Sequence, residues 1–372
     1  MRRFSSAVAV VGLTLGSMLM SHPPARGQES ATAKQDYQEM VQRGVEYLRV
    51  QGQADDGSFS ATTGVGPTAL VTTALLSVGV SPEDPMVAKS LAYLLKHVRP
   101  DGGIYAEGSR HQNYDSCLAM VALSKANQQG KYDQQIKKCE AYIKGQQWDE
   151  GEGKNPSDPF YGGAGYGSKA RPDLSNTSFM VDALHDLGRG SDDEAIQRAL
   201  AFVTRCQNLE SPANTTPGAA KVNDGGFFYT TANGGESMAG TTSEGGLRSY
   251  GSMTYAGLKS MIFAGVSKDD PRVKAAISFL RKHYTVDSNP GMGQSGHFYY
   301  LHTMSKALKA VGADEFADAE GKSHVWPAEI RAKLKAMQQP NGSWVNSEVR
   351  WLEGDPNLVT GYALLTLANC KP

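Results

Sequence analysis

The stretch Gln338-Gln339-Pro340-Asn341-Gly342-Ser343-Trp344 is a Gly-containing turn that ends in an aromatic residue. Related turns occur at Asp55-Asp56-Gly57-Ser58-Phe59, Asp101-Gly102-Gly103-Ile104-Tyr105, Tyr161-Gly162-Gly163-Ala164-Gly165-Tyr166 and Asp224-Gly225-Gly226-Phe227-Phe228. Glycine at these positions accepts a positive φ, and the aromatic residue can hold the turn against its neighbour. A unit of about 35 to 65 residues recurs six times along the chain, which is typical of a repeat architecture.

The hydrophobic pattern predicts two helices in each unit. The first helices are amphipathic and are predicted at Tyr37–Val50, Val87–Val98, Gln134–Gln147, Asp193–Gln207, Pro271–His283 and Ala328–Gln338. The second helices are apolar on nearly every side and are predicted at Thr68–Val78, Tyr114–Lys125, Asn176–Leu187, Ser252–Ala264, Tyr299–Val311 and Asn357–Asn369. Because an apolar helix must be enclosed, we expect an inner and an outer set of helices.

Stacked helix pairs can form an open solenoid or a closed ring. The last helix ends in the apolar run Ala363–Leu367, which an open end would expose. The sequence therefore favours an all-α (α/α)6 toroid of six hairpins, with one domain over residues 37–372 after a flexible stretch at residues 28–36. A long insertion at about residues 208–250 has few apolar residues and is predicted to cover one mouth of the ring.

The N-terminal stretch Met1–Gly27 has arginines at its start, an uncharged apolar middle and small residues before Gly27. This pattern predicts a cleaved signal peptide and export to the periplasm or the extracellular space. No later segment is long and apolar enough to predict a transmembrane anchor. Cleavage removes three arginines and no acid, so the formal charge falls from −1 to −4. That balance gives no reason to expect a nucleic-acid partner, and no cofactor is indicated.

Four cysteines follow the predicted signal peptide, at Cys117, Cys139, Cys206 and Cys370. None has Cys-x-x-Cys spacing and three lie in helical patterns, which favours buried thiols. A Cys117–Cys139 disulfide is the alternative.

The Gly-rich turns and the Gln338–Trp344 stretch resemble the Gln/Trp-type repeats of squalene cyclases and the related repeats of protein prenyltransferase β subunits. The resemblance covers about Tyr37 to Cys370. The stretches GSMTYAGLKSM at Gly251–Met261 and GMGQSGHFYYLHT at Gly291–Thr303 also resemble a prenyltransferase/squalene-oxidase-repeat group of secreted bacterial proteins. The resemblance implies the α/α toroid shared by terpenoid cyclases, prenyltransferases and complement thioester domains.

The catalytic motifs of these families do not accompany the repeats. The sequence contains no Asp-x-Asp-Asp run, from which squalene cyclases take their acid, and no cysteine followed by Gly-Glu-Gln. Prenyltransferases hold zinc with an Asp-x-Cys pair and a later His, which would correspond to Asp115, Cys117 and His302. These lie three units apart in a ring of six, on opposite walls, so no metal site is predicted.

Polar and aromatic residues cluster where the inner helices are predicted to start. They are Tyr114, Arg171, Asp173, Asn176, Arg248, Tyr250, Tyr299, Tyr300, Trp351, Glu353 and Asp355. Each could be a helix cap or a rim ion pair, but together they indicate a cavity mouth that binds a ligand. Free N–H groups at the six helix starts would make this mouth positive and favour an anionic or electron-rich ligand.

His302 lies near the start of an apolar inner helix, where burial would leave a neutral imidazole suited to proton transfer. A hydrogen-bonded core histidine is the alternative. His302, Asp115 and Tyr255 are the candidate catalytic residues.

Three functions fit these observations. The first is a cyclase- or transferase-like protein that binds, and could transform, an isoprenoid or other apolar ligand with a polar head. The second is a non-catalytic binding or scaffold protein on the same ring. The third is a carbohydrate-active enzyme of the (α/α)6 type, with Asp115, Asp173, Glu353 and Asp355 as candidate acids.

Overall fold

The computed structural model of the protein describes residues 31–214, 216 and 218–372. The predicted signal peptide at residues 1–27 lies outside these residues and stays a prediction. None of the helices in the described part of the chain is long and apolar enough to cross a bilayer.

The amphipathic helices form the outer ring. They are α1 (Ala31–Tyr47), α3 (Pro85–Lys96), α5 (Asp133–Lys144), α7 (Glu194–Arg205), α10 (Pro271–Lys282) and α12 (Trp326–Met337). The apolar helices form the inner ring. They are α2 (Gly66–Ser77), α4 (Gln112–Lys125), α6 (Leu174–Asp186), α9 (Gly251–Phe263), α11 (His297–Val311) and α13 (Pro356–Asn369). The twelve predicted helices are thus present, in the predicted order.

Three features differ from the prediction. Helix α1 begins at Ala31, so most of the stretch predicted to be flexible at residues 28–36 is helical. A short helix, α8 (Ala219–Val222), lies within the insertion. Between α11 and α12, β1 (Phe316–Ala317) pairs antiparallel with β2 (Ser323–His324), which the helical pattern did not predict.

The ring closes where the last unit meets the first. Each inner helix packs against the next, and α13 packs against α2. A Cβ at Gly361 of α13 would lie 2.5 Å from Leu70 Cδ2 of α2, so glycine allows the two helices to approach closely without displacing Leu70. On the outer ring, the Arg43 guanidinium of α1 donates to the carbonyl oxygens of Gln339 and Pro340, at 2.8 and 3.1 Å. The predicted closed (α/α)6 toroid is therefore confirmed.

Glutamines ahead of the Gly-rich turns connect neighbouring units. The Gln338 amide nitrogen donates to Gly342 O of its own turn and to Met40 O of α1, at 2.9 and 3.0 Å. Gln207 likewise donates to Gly225 O and to Arg272 O of α10, both at 2.9 Å. Gln53 and Gln147 make the same pair of contacts. This repeated bridge gives a physical reason for glutamine in the repeat.

The turn glycines allow the close approach that these bridges need. Gly225 has φ +80°, and a Cβ there would lie 2.5 Å from Ala275 O of α10. The aromatic residue after the turn is buried, as Trp344 shows. Its indole N–H donates to Leu334 O at 2.8 Å, which holds the turn on α12.

All four cysteines are buried free thiols. The Cys139 thiol donates to Ser116 O at 3.5 Å and does not bond to Cys117. The alternative Cys117–Cys139 disulfide is therefore wrong, because the two thiols are already accommodated within the helical core.

Candidate functional site

The space along the ring axis is divided into two chambers. The upper chamber lies at the N-terminal ends of the inner helices and has a volume of about 330 Å³. The lower chamber lies toward their C-terminal ends and has a volume of about 440 Å³. Phe179 of α6 lines both, so its ring is part of the partition between them.

The upper chamber is lined mainly by aromatic and apolar side chains. The aromatic ones are Tyr114, Tyr166, Phe179, Tyr229, Tyr250, Tyr299, Trp351 and Tyr362, and the apolar ones include Pro67, Met238, Met253, Leu352 and Leu358. Glu353 is the one acidic side chain among the lining residues that the structure describes, and no lysine or arginine joins it. The chamber therefore suits an apolar, electron-poor or uncharged guest.

Four rings from four inner helices form the floor of the upper chamber: Tyr114, Phe179, Tyr299 and Tyr362. Phe179 meets Tyr114 edge-on at 5.2 Å between centroids and contacts Tyr299 at 6.0 Å. Tyr299 in turn meets Tyr362 at 6.0 Å. Ring pairs at such distances are stabilising, so we interpret the floor as a packed partition.

Residues of the following unit cap most of the inner helices. Asp115 accepts from Gly66 N of α2 at 2.9 Å, and Tyr166 O accepts from Asn113 N of α4 at 3.0 Å. Tyr229 O accepts from Leu174 N of α6 at 2.8 Å. In the last two such caps, the Asn289 side-chain oxygen accepts from Ser252 N of α9 at 3.0 Å, and the Glu353 carboxylate accepts from Tyr299 N of α11 at 2.8 Å. Helix α13 is capped by its own Asp355, which accepts from Asn357 N at 2.8 Å.

This pattern corrects the expectation of a positive mouth. The N–H groups at the helix starts are bonded to protein oxygens, and four of the acceptors are the carboxylates of Asp115, Asp173, Glu353 and Asp355. These carboxylates offset the positive end of the helix dipoles. An anionic ligand is therefore not favoured in the upper chamber.

Burial governs the pKa of the mouth carboxyls. It raises the pKa of Asp115 to about 6, although the bonds from Gly66 and Ser109 act in the opposite direction. It also raises the pKa of Asp173 to about 6, against two bonds from Asn176. The pKa of Glu353 is raised for the same reason, while Asn346 and the N–H groups of Tyr299 and Phe298 favour its charged form. Each carboxyl is thus occupied as a hydrogen-bond acceptor.

Five of the predicted mouth residues line the upper chamber. They are Tyr114, Tyr250, Tyr299, Trp351 and Glu353. Tyr299 O–H lies 3.0 Å from Ser175 Oγ, which places two hydroxyl groups inside an otherwise aromatic wall.

The other predicted mouth residues have structural contacts. Asp173 caps α6 by accepting from Asn176 N at 2.8 Å, and the Asn176 amide donates to the same carboxylate. On the rim, Arg171 pairs with Glu236 at 2.7 Å and the Arg248 guanidinium donates to Thr241 O at 2.9 Å. The last two of these residues are Tyr300, whose hydroxyl donates to Thr285 O at 2.7 Å, and Asp355, which caps α13.

The three candidate catalytic residues do not converge. Helix α11 begins at His297 and not at Tyr299, so His302 lies in its second turn and lines the lower chamber. Asp115 lies at the opposite end of the ring, in the first turn of α4, where its carboxylate caps α2. Tyr255 is fully buried against Tyr300, at 5.7 Å between centroids, and is not among the residues lining either chamber. The predicted mouth position of His302 is therefore wrong.

The insertion forms part of the chamber wall. Tyr229, Met238 and Tyr250 all come from it and line the upper chamber. A side chain of the insertion binds it to the rest of the ring, because the Thr230 hydroxyl donates to Pro172 O at 2.7 Å. Sequence reasoning predicted Tyr250 as a mouth residue but missed Tyr229 and Met238.

Several lining residues were not predicted, among them Tyr166, Phe179, Tyr229 and Tyr362. Tyr166 and Tyr229 lie in the Gly-rich turns, where turn chemistry alone seemed to explain an aromatic residue. Phe179 and Tyr362 lie on inner helices as single aromatic residues, and only ring closure brings them together. For Phe179 and Tyr362, the available signal was an aromatic residue in the second turn of an inner helix.

Within the described ranges, no three His, Cys, Asp or Glu side chains are placed to hold a metal ion. Cys117 and His302 both line the lower chamber, whereas Asp115 faces the upper side of the ring.

No protein-family model matches the chain, and no curated protein matches its sequence. Solved structures do. The type II terpene cyclase MstE from Scytonema in its apo form is 14% identical, with a TM-score of 0.57 over 91% of this chain and 98% of that chain. The same enzyme in complex with the substrate geranylgeranyl dihydroxybenzoate is 13% identical, with a TM-score of 0.55 over 91% and 98%.

A possible member of the GH105 family from Salmonella enterica has a TM-score of 0.55 at 10% identity, over 95% of this chain and 98% of that chain. Identities this low show the fold alone. The chain is thus an (α/α)6 toroid, the architecture that its repeats predict. More particularly, it is a toroid similar to a type II terpene cyclase over nearly its whole described length.

Proposed function

We propose that this protein binds an isoprenoid or similarly elongated apolar molecule, with an uncharged polar head, in the upper chamber. The observation that carries the proposal is the lining of that chamber, in which eight aromatic rings surround a space with one buried acid. Aromatic and aliphatic walls favour an apolar chain, and the ring faces are attractive to its alkene or cationic groups.

A polar head has hydrogen-bonding groups available in this chamber. The paired hydroxyls of Ser175 and Tyr299 lie 3.0 Å apart, and either can donate to a hydroxyl or carbonyl oxygen. Ser252 and Asn289 add further polar groups to the lining. A few such groups in an apolar pocket fix the orientation of a ligand.

The arrangement supports binding better than proton-initiated cyclisation. An acid catalyst needs a carboxylic proton directed at the substrate alkene. Burial raises the pKa of the lining acid, Glu353, but both of its carboxyl oxygens are engaged by protein donors, Tyr299 N at 2.8 Å and the Asn346 amide at 2.6 Å, so neither is directed at a ligand. Asp115 and Asp173 are helix caps. A binding function therefore explains these residues without assigning them a second role.

The lining argues against the carbohydrate alternative for the same reason. Glycoside hydrolysis uses two carboxyl groups on either side of the scissile bond. Among the described residues that line the upper chamber, one carboxyl group is present, and it caps α11. A pure scaffold also fits less well, because the ring has two open chambers and not a filled core.

The likeness to MstE adds support, since that enzyme binds geranylgeranyl dihydroxybenzoate on the same fold. Geranylgeraniol, an uncharged alcohol with an isoprenoid chain, is therefore the probe. We expect calorimetry to show one saturable site per chain. A ligand recovered unchanged by mass spectrometry after long incubation would agree with binding alone, whereas a cyclised product would contradict it.

Ser175→Trp tests the location, because an indole at Ser175 fills the upper chamber. The matched control is Ser191→Trp, an exposed serine in the loop after α6. We expect Ser175→Trp to abolish binding and Ser191→Trp to leave it unchanged. Equal binding by both variants, with unchanged melting temperatures, would overturn the proposal.

A further inference from the structure

The lower chamber differs from the upper chamber in its charge. Lys125, Lys306, Lys309 and Lys371 line it together with Asp182 and Asp186, and Lys259 lies directly behind Asp182. Five lysines thus face two aspartates, an excess of three positive side chains. Fixed charge of one sign in a cleft attracts ligands of the other sign.

Three of these residues form a buried ion cluster. Asp182 Oδ2 of α6 accepts from Lys259 Nζ of α9 at 2.6 Å and lies 3.0 Å from Lys306 Nζ of α11. The exposed fraction of Lys259 is 2%. Burial alone would raise the pKa of Asp182, but the two ammonium groups lower it, so the carboxylate is ionised. Two ammonium groups share one carboxylate oxygen, and Asp186 is the second carboxylate that acts on them.

Two polar atoms beside the cluster have no partner. They are Asp182 Oδ1 and His302 Nδ1, both buried. Burial, and then the ammonium groups of Lys306 and Lys259, lower the pKa of His302 to about 3, so its imidazole is neutral. Buried polar atoms are normally hydrogen-bonded, and an exception needs an explanation. A bound acceptor in the chamber would satisfy His302 in its Nδ1–H tautomer, whereas Asp182 Oδ1 is itself an acceptor and needs a donor such as water.

Helix dipoles explain only part of the positive charge. Lys125 and Lys309 lie in the last turns of α4 and α11, where cations are favourable. Lys259 and Lys306 lie further from the C-terminal ends of α9 and α11, and the dipole effect is confined to the last turn. The burial of Lys259 and the position of the half-buried Lys306 therefore require another reason.

The opposite wall of the lower chamber is apolar. It is formed by Leu70, Leu118, Val121 and Leu365. Phe263 adds an aromatic surface, stacked on His185 at 3.7 Å with an angle of 10° between the rings. A guest of this chamber would meet ammonium groups on one side and hydrocarbon on the other.

We propose that the lower chamber is a second ligand site, separate from the upper chamber, that binds a small organic carboxylate. Its carboxylate group contacts Lys306 and is stabilised by the charge of Lys259 behind Asp182. Its hydrocarbon body packs against Leu118 and Leu365. The aromatic floor between the chambers keeps this guest apart from the ligand above.

Octanoate is the probe, and isothermal titration calorimetry at pH 7 in low salt is the measurement. We expect one octanoate site per chain, and much weaker binding of octanol, which lacks the charge. Lys306→Gln should weaken octanoate binding at least about tenfold, since a hydrogen bond to a charged group is removed. The matched control is Lys274→Gln, a lysine on the exposed face of α10 that is 62% exposed, which should leave binding unchanged.

Ala368→Phe keeps the ion cluster intact and fills the chamber, so it serves if Lys306→Gln fails to fold. It should abolish octanoate binding while geranylgeraniol binding persists. The proposal is overturned if octanoate does not bind, if both folded variants bind it as the wild type does, or if Ser175→Trp removes it. Inorganic phosphate binding as tightly as octanoate would contradict the role of the apolar wall.

Discussion

The Asn289 side-chain oxygen accepts a hydrogen bond from Ser252 N at 3.0 Å, and thereby connects the fifth unit of the ring to the first turn of α9. The Asn289 amide nitrogen also donates to Ser252 Oγ and Ser295 O, both at 3.2 Å. This contact belongs to the series in which one unit caps the inner helix of the unit before it.

Asn289→Ala should therefore lower the free energy of unfolding by about 1–3 kcal/mol, because a buried N–H loses its acceptor. The measurement is urea denaturation followed by circular dichroism. Gln134→Ala removes the same amide group from the exposed surface of α5 and should change stability little. Equal effects of the two substitutions would contradict the capping role.

Ring closure makes a separate prediction at Gly361, where a Cβ would also lie 3.2 Å from Val71 Cγ2 of α2. Gly361→Leu should destabilise the protein by about 1–3 kcal/mol or more, since the new side chain has no room between α13 and α2. The control is Gly190→Leu, where the space around the Cβ is open. A neutral effect of Gly361→Leu on the melting temperature would argue against contact between the first and last units.

The pH dependence of stability should carry a contribution from Asp173. Its pKa rises from 3.8 to about 6 on folding, so between these values the folded state holds a proton that the unfolded state has lost. The free energy of unfolding should therefore fall as pH rises through this window, by up to about 3 kcal/mol from this group.

Buried histidines such as His302 have a lowered pKa in the folded state, so the unfolded chain binds protons on them at a higher pH. Their contribution to the free energy of unfolding therefore rises with pH, opposite to that of Asp173. The difference between wild type and Asp173→Asn isolates the carboxyl group. We expect that difference to change between pH 4 and 6 and to be constant above it. Parallel stability curves at all pH values would contradict the assignment.

Some of this architecture can be predicted from the sequence and some cannot. The inner helices are recognisable because their apolar residues cover every side, and their observed bounds differ from the predicted ones by at most a few residues. The caps supplied by Asn289, Tyr166 and Tyr229 could not be predicted, because each depends on how a loop lies against the preceding unit. The separation of Asn289 and Ser252 along the chain does not indicate that the two residues are in contact.

The lower chamber also escaped prediction. Asp182, Lys259 and Lys306 are isolated charges within the mainly apolar patterns of three different helices, and no single pattern shows that they meet. Closure of the ring brings both ammonium groups within 3.0 Å of the Asp182 carboxylate. His302 was misplaced because α11 begins two residues earlier than predicted, which moves the side chain away from the mouth.

Trp351 should contribute directly to ligand binding. Its side chain is 40% exposed, lines the upper chamber and packs beside Gly296. Trp351→Ala should weaken geranylgeraniol binding about tenfold with little change in melting temperature, because the indole contributes contact area and not core packing. Val349→Ala, at an exposed apolar residue nearby, should leave affinity unchanged. A lower melting temperature of Trp351→Ala with unchanged geranylgeraniol affinity would contradict this interpretation.

The central claim is that the upper chamber holds the apolar ligand, and photo-crosslinking tests it most directly. A geranyl ether that carries a benzophenone would be irradiated with the protein, and the adducts mapped by peptide mass spectrometry. We predict adducts on the peptides that hold Met238 and Met253, which line the upper chamber, and their loss in Ser175→Trp. Adducts confined to the outer helices, or to lower-chamber residues such as Leu118, would contradict the account.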